Sequence, residues 1–132
     1  RLHVCHVSNT ESLEAIRHFK ARRAPVTAEV SPHHLTLTHE RVGGGGGYDT
    51  HAKMKPPVCE ESDREALVAA IEDGTIDCIA TDHAPHAPAL KADTFDQAPF
   101  GIIGMETAFA VLHTAFVAPG RWSLAFLIEK MS

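Results

Sequence analysis

Apolar and polar positions change period several times along the chain, and each change predicts an element. Leu2-His3-Val4-Cys5-His6-Val7 is a short apolar run that reads as a strand, with Leu2, Val4 and His6 on one face and Cys5 on the other. Leu13, Ile16 and Phe19 then recur at helical spacing. Ser8 with Glu11 has the spacing of a capping box, so a helix is expected over about residues 9 to 22. After Pro25, the β-branched run Val26-Thr27-Ala28-Glu29-Val30 predicts a second strand that stops at Ser31-Pro32-His33-His34. A long connection follows. Its five glycines at 43 to 47 can hardly hold a regular element and read as a flexible loop or linker. Ser62 with Glu65 repeats the capping spacing, Leu67, Ala70 and Ile71 form an apolar stripe, and Gly74 stands where a helix-ending glycine belongs; a helix is expected over about 62 to 73. Thr75 to Thr81 predicts a third strand, too apolar to have a face in water. Residues 84 to 104 read as a loop, and Met105 to Val117 and Trp122 to Met131 as two further helices.

Strands alternating with helices imply an α/β fold with a parallel sheet and right-handed crossovers. Three strands do not close a barrel, and a complete (β/α)8 barrel takes about 250 residues. The chain starts inside a strand and stops inside a helix, so the expectation is one partial domain over residues 1-132, roughly a third to a half of a larger α/β unit. A small open three-stranded sheet is the alternative.

Composition narrows the function classes. The chain has 132 residues, a formal net charge of -5 and 44% hydrophobic residues, which suits one soluble globular unit. No apolar run approaches the roughly 18 residues that cross a bilayer, and residues 1 to 20 lack the pattern of a secretory leader. A cytoplasmic setting is the expectation. The acidic balance argues against nucleic acid, with Lys20, Arg22 and Arg23 read as a solvated helix end. Cys5, Cys59 and Cys78 are widely spaced and read as small buried hydrophobes.

Ten histidines are the unusual feature. Functional groups in parallel α/β folds collect at the carboxyl ends of strands. All three predicted strands end in such groups: His6, then His33 and His34, then Asp82 and His83 with His86 beyond. A lone histidine at a strand end is more often structural, but three loaded ends favour a site. Neutral imidazole and carboxylate suit a divalent ion such as Zn2+. Such an ion acidifies water and polarises a carbonyl, and Asp82 can both bind metal and take a proton. Nucleophilic alternatives are weak: there is no G-x-S-x-G elbow, and Cys78 lies mid-strand. The glycine run lacks the Lys-Ser/Thr of a phosphate loop.

Five blocks carry a family likeness: His3-Val4-Cys5-His6-Val7-Ser8, Val26-Thr27-Ala28-Glu29-Val30-Ser31-Pro32-His33-His34, Lys53-Met54-Lys55-Pro56-Pro57, Asp73-Gly74-Thr75-Ile76-Asp77-Cys78-Ile79-Ala80-Thr81-Asp82-His83-Ala84-Pro85-His86 and Ala98-Pro99-Phe100-Gly101-Ile102-Ile103-Gly104-Met105-Glu106-Thr107-Ala108. In this order they resemble class I dihydroorotases of the amidohydrolase superfamily over nearly the whole chain. The resemblance implies a partial (β/α)8 TIM-like barrel comprising about the last three strand-helix units. It implies zinc-dependent, reversible closure of N-carbamoyl-L-aspartate to L-dihydroorotate in pyrimidine synthesis.

Carried over by motif, the resemblance makes His6 and Asp82 zinc ligands and Asp82 also the general base and acid. His86, Phe100 and Gly101 become substrate contacts, and His33 and His34 take a supporting role. Lys55 stands where the family usually has a ring-binding Asn, and Cys59 where an Arg is common; a lysine can meet a carboxylate but lacks an amide's paired donor and acceptor. Two zinc ions per complete site are implied, with the remaining ligands outside this chain. The 132 residues alone are expected to be inactive and to bind zinc weakly. Other readings are a hydantoinase, dihydropyrimidinase or allantoinase, or a non-catalytic dihydroorotase-like scaffold of aspartate carbamoyltransferase. A homodimer or an aspartate carbamoyltransferase association is the partner expectation.

Overall fold

The computed structural model describes residues 1–44 and 47–132. Its order is β1 (Leu2–Val4), α1 (Thr10–Ala21), β2 (Val26–Val30), α2 (Pro32–Thr36), α3 (Glu40–Gly43), a 3-10 turn (Thr50–Ala52), α4 (Glu61–Glu72), β3 (Cys78–Ile79), α5 (Pro88–Lys91), α6 (Ala108–Leu112), a π turn (His113–Val117) and α7 (Leu124–Met131). The three strands form one parallel sheet in the order β1-β2-β3, as the alternation of strands and helices predicted. Leu2 stands opposite Val26, and Val30 opposite Ile79.

One apolar cluster holds the fold. Ala28 and Val30 of β2 are fully buried under Leu13 and Ile16 of α1 and Leu67, Val68 and Ile71 of α4. Alternate residues point to opposite sides of a strand, so Thr27 and Glu29 face away from that cluster. Phe116 stacks on Trp122 at 4.1 Å, and the indole N–H of Trp122 donates to Glu72 Oε1 at 2.6 Å, which ties the last helices to α4.

Several expectations are corrected in detail. Asn9, not Ser8, caps α1, accepting from the Ser12 N–H at 3.0 Å. Ser62 lies inside α4, whose cap position is Glu60 with no side-chain bond. Asp63 instead accepts from the Thr10 N–H and hydroxyl, at 2.9 and 2.7 Å, joining the starts of α1 and α4. Gly74 does follow α4 at φ 81°, a left-handed conformation that costs glycine little.

The first strand is shorter than Leu2 to Val7 because His6 turns to φ 53°; pairing resumes when the Val7 N–H reaches Glu29 O at 2.9 Å. The third strand shrinks to two residues. The Ile76 N–H is still bonded to Ala70 O of the preceding helix, and Asp82 at φ 49° ends the extended run. Among the described residues Asp77 is exposed and Cys78 half-buried, since helices of this segment cover one face of its sheet. The cysteines likewise are not buried hydrophobes, since Cys5 is exposed and Cys59 only partly covered. Gly43 closes a short helix rather than joining a loop; Gly45 and Gly46 lie outside the described residues. Residues 84 to 104 contain α5 and a parallel bridge between His83 and Ile102.

Candidate active site

Of the three left-handed non-glycine residues among those described, Arg23 lies in the turn after α1, while His6 and Asp82 stand just past the ends of β1 and β3, in a conformation that β-carbon crowding disfavours and that clusters at functional sites. The turns bring the two side chains together across β2, with His6 Nε2 3.4 Å from Asp82 Oδ1. The end of β2 adds His33, whose Nε2 lies 3.8 Å from Asp82 Oδ2. Ser31 caps α2 and so aims His33 and His34 back over the sheet.

The adjacent histidines behave differently. His34 is satisfied at both nitrogens: Nδ1 accepts from the Ser31 hydroxyl at 2.6 Å, and Nε2 donates to Pro56 O at 3.0 Å. Its pKa is lowered, with burial the main cause. That is a structural role, in keeping with the supporting part expected of it. His33 is only 5% exposed, yet its Nε2 has no hydrogen-bond partner. Burial, and then the His34 and His6 rings, push His33 down to about 3, so it is a neutral imidazole near pH 7.

His6 Nδ1 is the other buried side-chain atom without a partner among the described residues; Glu29 Oε1 lies 3.1 Å away but out of line. Buried polar atoms without partners are rare and point to something that would satisfy them. An imidazole nitrogen facing a carboxylate oxygen, His6 Nε2 and Asp82 Oδ1 at 3.4 Å, is a donor pair that fits a divalent metal ion. Glu29 stands behind His6 as a carboxylate stands behind a metal-bound histidine. Sequence reading treated Glu29 only as a strand residue, although its polar character inside an apolar run was a usable signal.

His86, Phe100 and Gly101 form a second group. The His86 Nε2–H donates to Phe100 O at 2.8 Å, and both His86 and Gly101 line a 370 Å3 cleft with Leu37, His51, Ala84 and Lys91. Gly101 sits at φ 138°, and a β-carbon there would lie 2.5 Å from Ala84 O, so no other residue fits. Two buried lysines hold this loop in place. Lys53 Nζ donates to Asp96 O and Ala98 O at 3.0 and 2.6 Å and lies 4.6 Å from the Phe100 ring centre. Lys91 Nζ donates to Thr50 O and Pro99 O at 3.0 and 2.9 Å.

Neither lysine was singled out from the sequence, since nothing in a lone Lys codon marks burial. Lys55, which was, is exposed; it forms no hydrogen bond or ion pair among the described residues and does not line the cleft. His83 is structural, its Nδ1 accepting the Gly104 and Met105 N–H groups at 3.0 and 3.1 Å.

Parallel strands with helical crossovers and polar groups gathered at the strand ends are the arrangement of a segment of a (β/α)8 barrel. No family model matches the chain. A dihydroorotase of Desulforapulum autotrophicum is 55% identical over 132 residues, which is 100% of this chain and 30% of that protein. One from Staphylococcus epidermidis is 55% identical over 127 residues, or 96% of this chain and 29% of that protein. Among solved structures, the L-hydantoinase (dihydropyrimidinase) of Arthrobacter aurescens superposes with a TM-score of 0.88 at 31% identity, covering 99% of this chain and 29% of its own. Over its whole length the chain is similar to a segment of dihydroorotases, and its fold to a segment of a hydantoinase. It spans about 30% of the length of the curated relatives it matches.

Proposed function

We propose that this chain supplies one side of the active site of a zinc-dependent dihydroorotase, which opens the L-dihydroorotate ring to N-carbamoyl-L-aspartate and closes it again in pyrimidine synthesis. The observation that carries the reading is the convergence of His6, His33 and Asp82, two of them with unpartnered buried nitrogens, at three adjacent strand ends. The 55% identity to dihydroorotases supports this substrate over a hydantoin, although the hydantoinase fold is close.

His6 Nε2 and Asp82 would hold zinc, two ions in the complete site with other donors outside this chain. Zinc bound there would acidify water and polarise the ring carbonyl. Asp82 takes the proton of the attacking water and hands it to the departing ring nitrogen. His33, a neutral imidazole near pH 7, stands beside this carboxylate with its Nε2 3.8 Å from Asp82 Oδ2. His86, Phe100 and Gly101 orient the substrate, with the Gly101 turn letting backbone approach closely. Lys55, which does not line the cleft, is assigned to the substrate carboxylate by motif alone. A cytoplasmic enzyme, dimeric or associated with aspartate carbamoyltransferase, fits this role.

Activity belongs to a barrel that includes this segment; the 132 residues alone bring too few donors for a tight zinc site and are expected to turn over no dihydroorotate. In an intact enzyme carrying the segment, Asp82→Asn lowers kcat by at least about 100-fold, the lower end of what a positioned acid/base contributes. The check is the rate of L-dihydroorotate hydrolysis beside that of hydantoin and dihydrouracil. Near-normal turnover in the variant removes Asp82 from the reaction, and preference for hydantoin replaces the substrate assignment.

A further inference from the structure

A second convergence of donors lies on the open face of the sheet. His3, Cys5 and Glu29 each place one ligand-capable atom within 4.8 Å of the other two. The register explains it. His3 stands opposite Thr27 and Val4 opposite Ala28, so His3 and Cys5, two residues apart on β1 and its continuation, share a face with Glu29 on the next strand. The sequence pattern put His3 and Cys5 on one face, but the register that brings Glu29 beside them is tertiary.

Imidazole nitrogen, thiolate sulfur and carboxylate oxygen together are the donors of a borderline-soft divalent ion in a tetrahedral site. Bond lengths of about 2.0 to 2.3 Å to such an ion bring its donors under about 4 Å of one another. His3 Nε2 and Glu29 Oε2 already stand at 3.0 Å, and Thr27 Oγ1 fixes the ring through His3 Nδ1 at 2.8 Å. Glu29 faces imidazoles at both oxygens and pairs with no Lys or Arg among the described residues, so its charge has no fixed cation. His3 and Cys5 are exposed in this 132-residue segment, which leaves the group open there to an ion from solvent.

We propose that His3, Cys5 and Glu29 form a second transition-metal site, with three protein donors and one position left to water, adjoining the His6 and Asp82 centre through Glu29, whose other oxygen lies 3.1 Å from His6 Nδ1. The Cys5 thiol gives its proton to solvent as it binds.

The test is a Co2+ titration of the chelator-stripped 132-residue chain, read by the thiolate-to-cobalt charge-transfer absorption that only a cysteine ligand produces. The expected result is one equivalent of Co2+ developing that band. Cys5→Ser abolishes it, while Cys59→Ser and Cys78→Ser keep it. His3→Gln weakens binding at least about tenfold, since losing a ligand costs no less than losing the partner behind one. Asp82→Asn leaves the band intact, so the outcome is independent of the amidohydrolase reading. A missing band, or one that survives Cys5→Ser in a variant whose circular dichroism matches the parent, overturns the site.

Discussion

The two faces of the sheet do different work with the same five residues. In β2, Ala28 and Val30 are 0% exposed beneath α1 and α4, whereas Thr27 is exposed and Glu29 half-buried among imidazoles. The helix-covered face is close-packed, and its cohesion comes from apolar area removed from water. The open face carries His3, Cys5, Thr27 and Glu29, and His6, His33 and Asp82 gather at its rim. One alternating strand therefore divides stability from chemistry, and substitutions separated by a single residue should have unlike consequences.

The largest effect is expected on the covered face. Ile71→Ala removes a fully buried side chain and is expected to cost about 2 to 5 kcal/mol, while Thr27→Val on the open face stays within roughly 0.5 kcal/mol. Urea unfolding of the two variants measures the contrast, and equal losses would mean that the open face also carries the fold.

Next come the lysines. Lys53→Met strands the Asp96 and Ala98 carbonyls and is expected to cost about 1 to 3 kcal/mol; Lys55→Met, two residues away and exposed, should fall within about 0.5 kcal/mol. Proteolysis near residues 93 to 101 should quicken in the first variant alone.

The most gradual effect is that of pH. His33 is neutral when folded, with a pKa of about 3, against an ordinary value of 6.5 when unfolded. The unfolded chain therefore binds more protons between those values. Stability is fully present above about pH 6.5 and declines as pH falls toward 3, by at most about 1.4 kcal/mol per unit from one group. His34, also lowered, adds in the same direction. Thermal melts with chelator present should show a shallower decline for His33→Gln, and an unchanged slope would mean that His33 is not held neutral.

Much of this was legible along the chain. Period 2 and helical spacing located all three strands and the helices α1, α4 and α7, because burial on one face leaves a periodic trace. His6 and Asp82 stood out because strand ends in parallel folds collect chemistry. What misled was local pattern matching at the edges. Ser8 and Ser62 have the right spacing for caps, yet Asn9 and Glu60 occupy those positions, since small shifts of register cost little locally and tertiary contacts decide them. Burial of Lys53 and Lys91 left no trace because their partners are backbone carbonyls more than 40 residues away or in a loop.

Sequence alone determined the α/β order, the parallel sheet and the identity of the groups at its strand ends, for these follow from periodicity and residue type. Tertiary structure decided which of those groups meet. It did so through two left-handed turns, at His6 and Asp82, which break the alternation that period 2 assumes and swing both side chains toward His33 and Glu29. A backbone held in a disfavoured conformation has no periodic signature, since its stability comes from the packing around it.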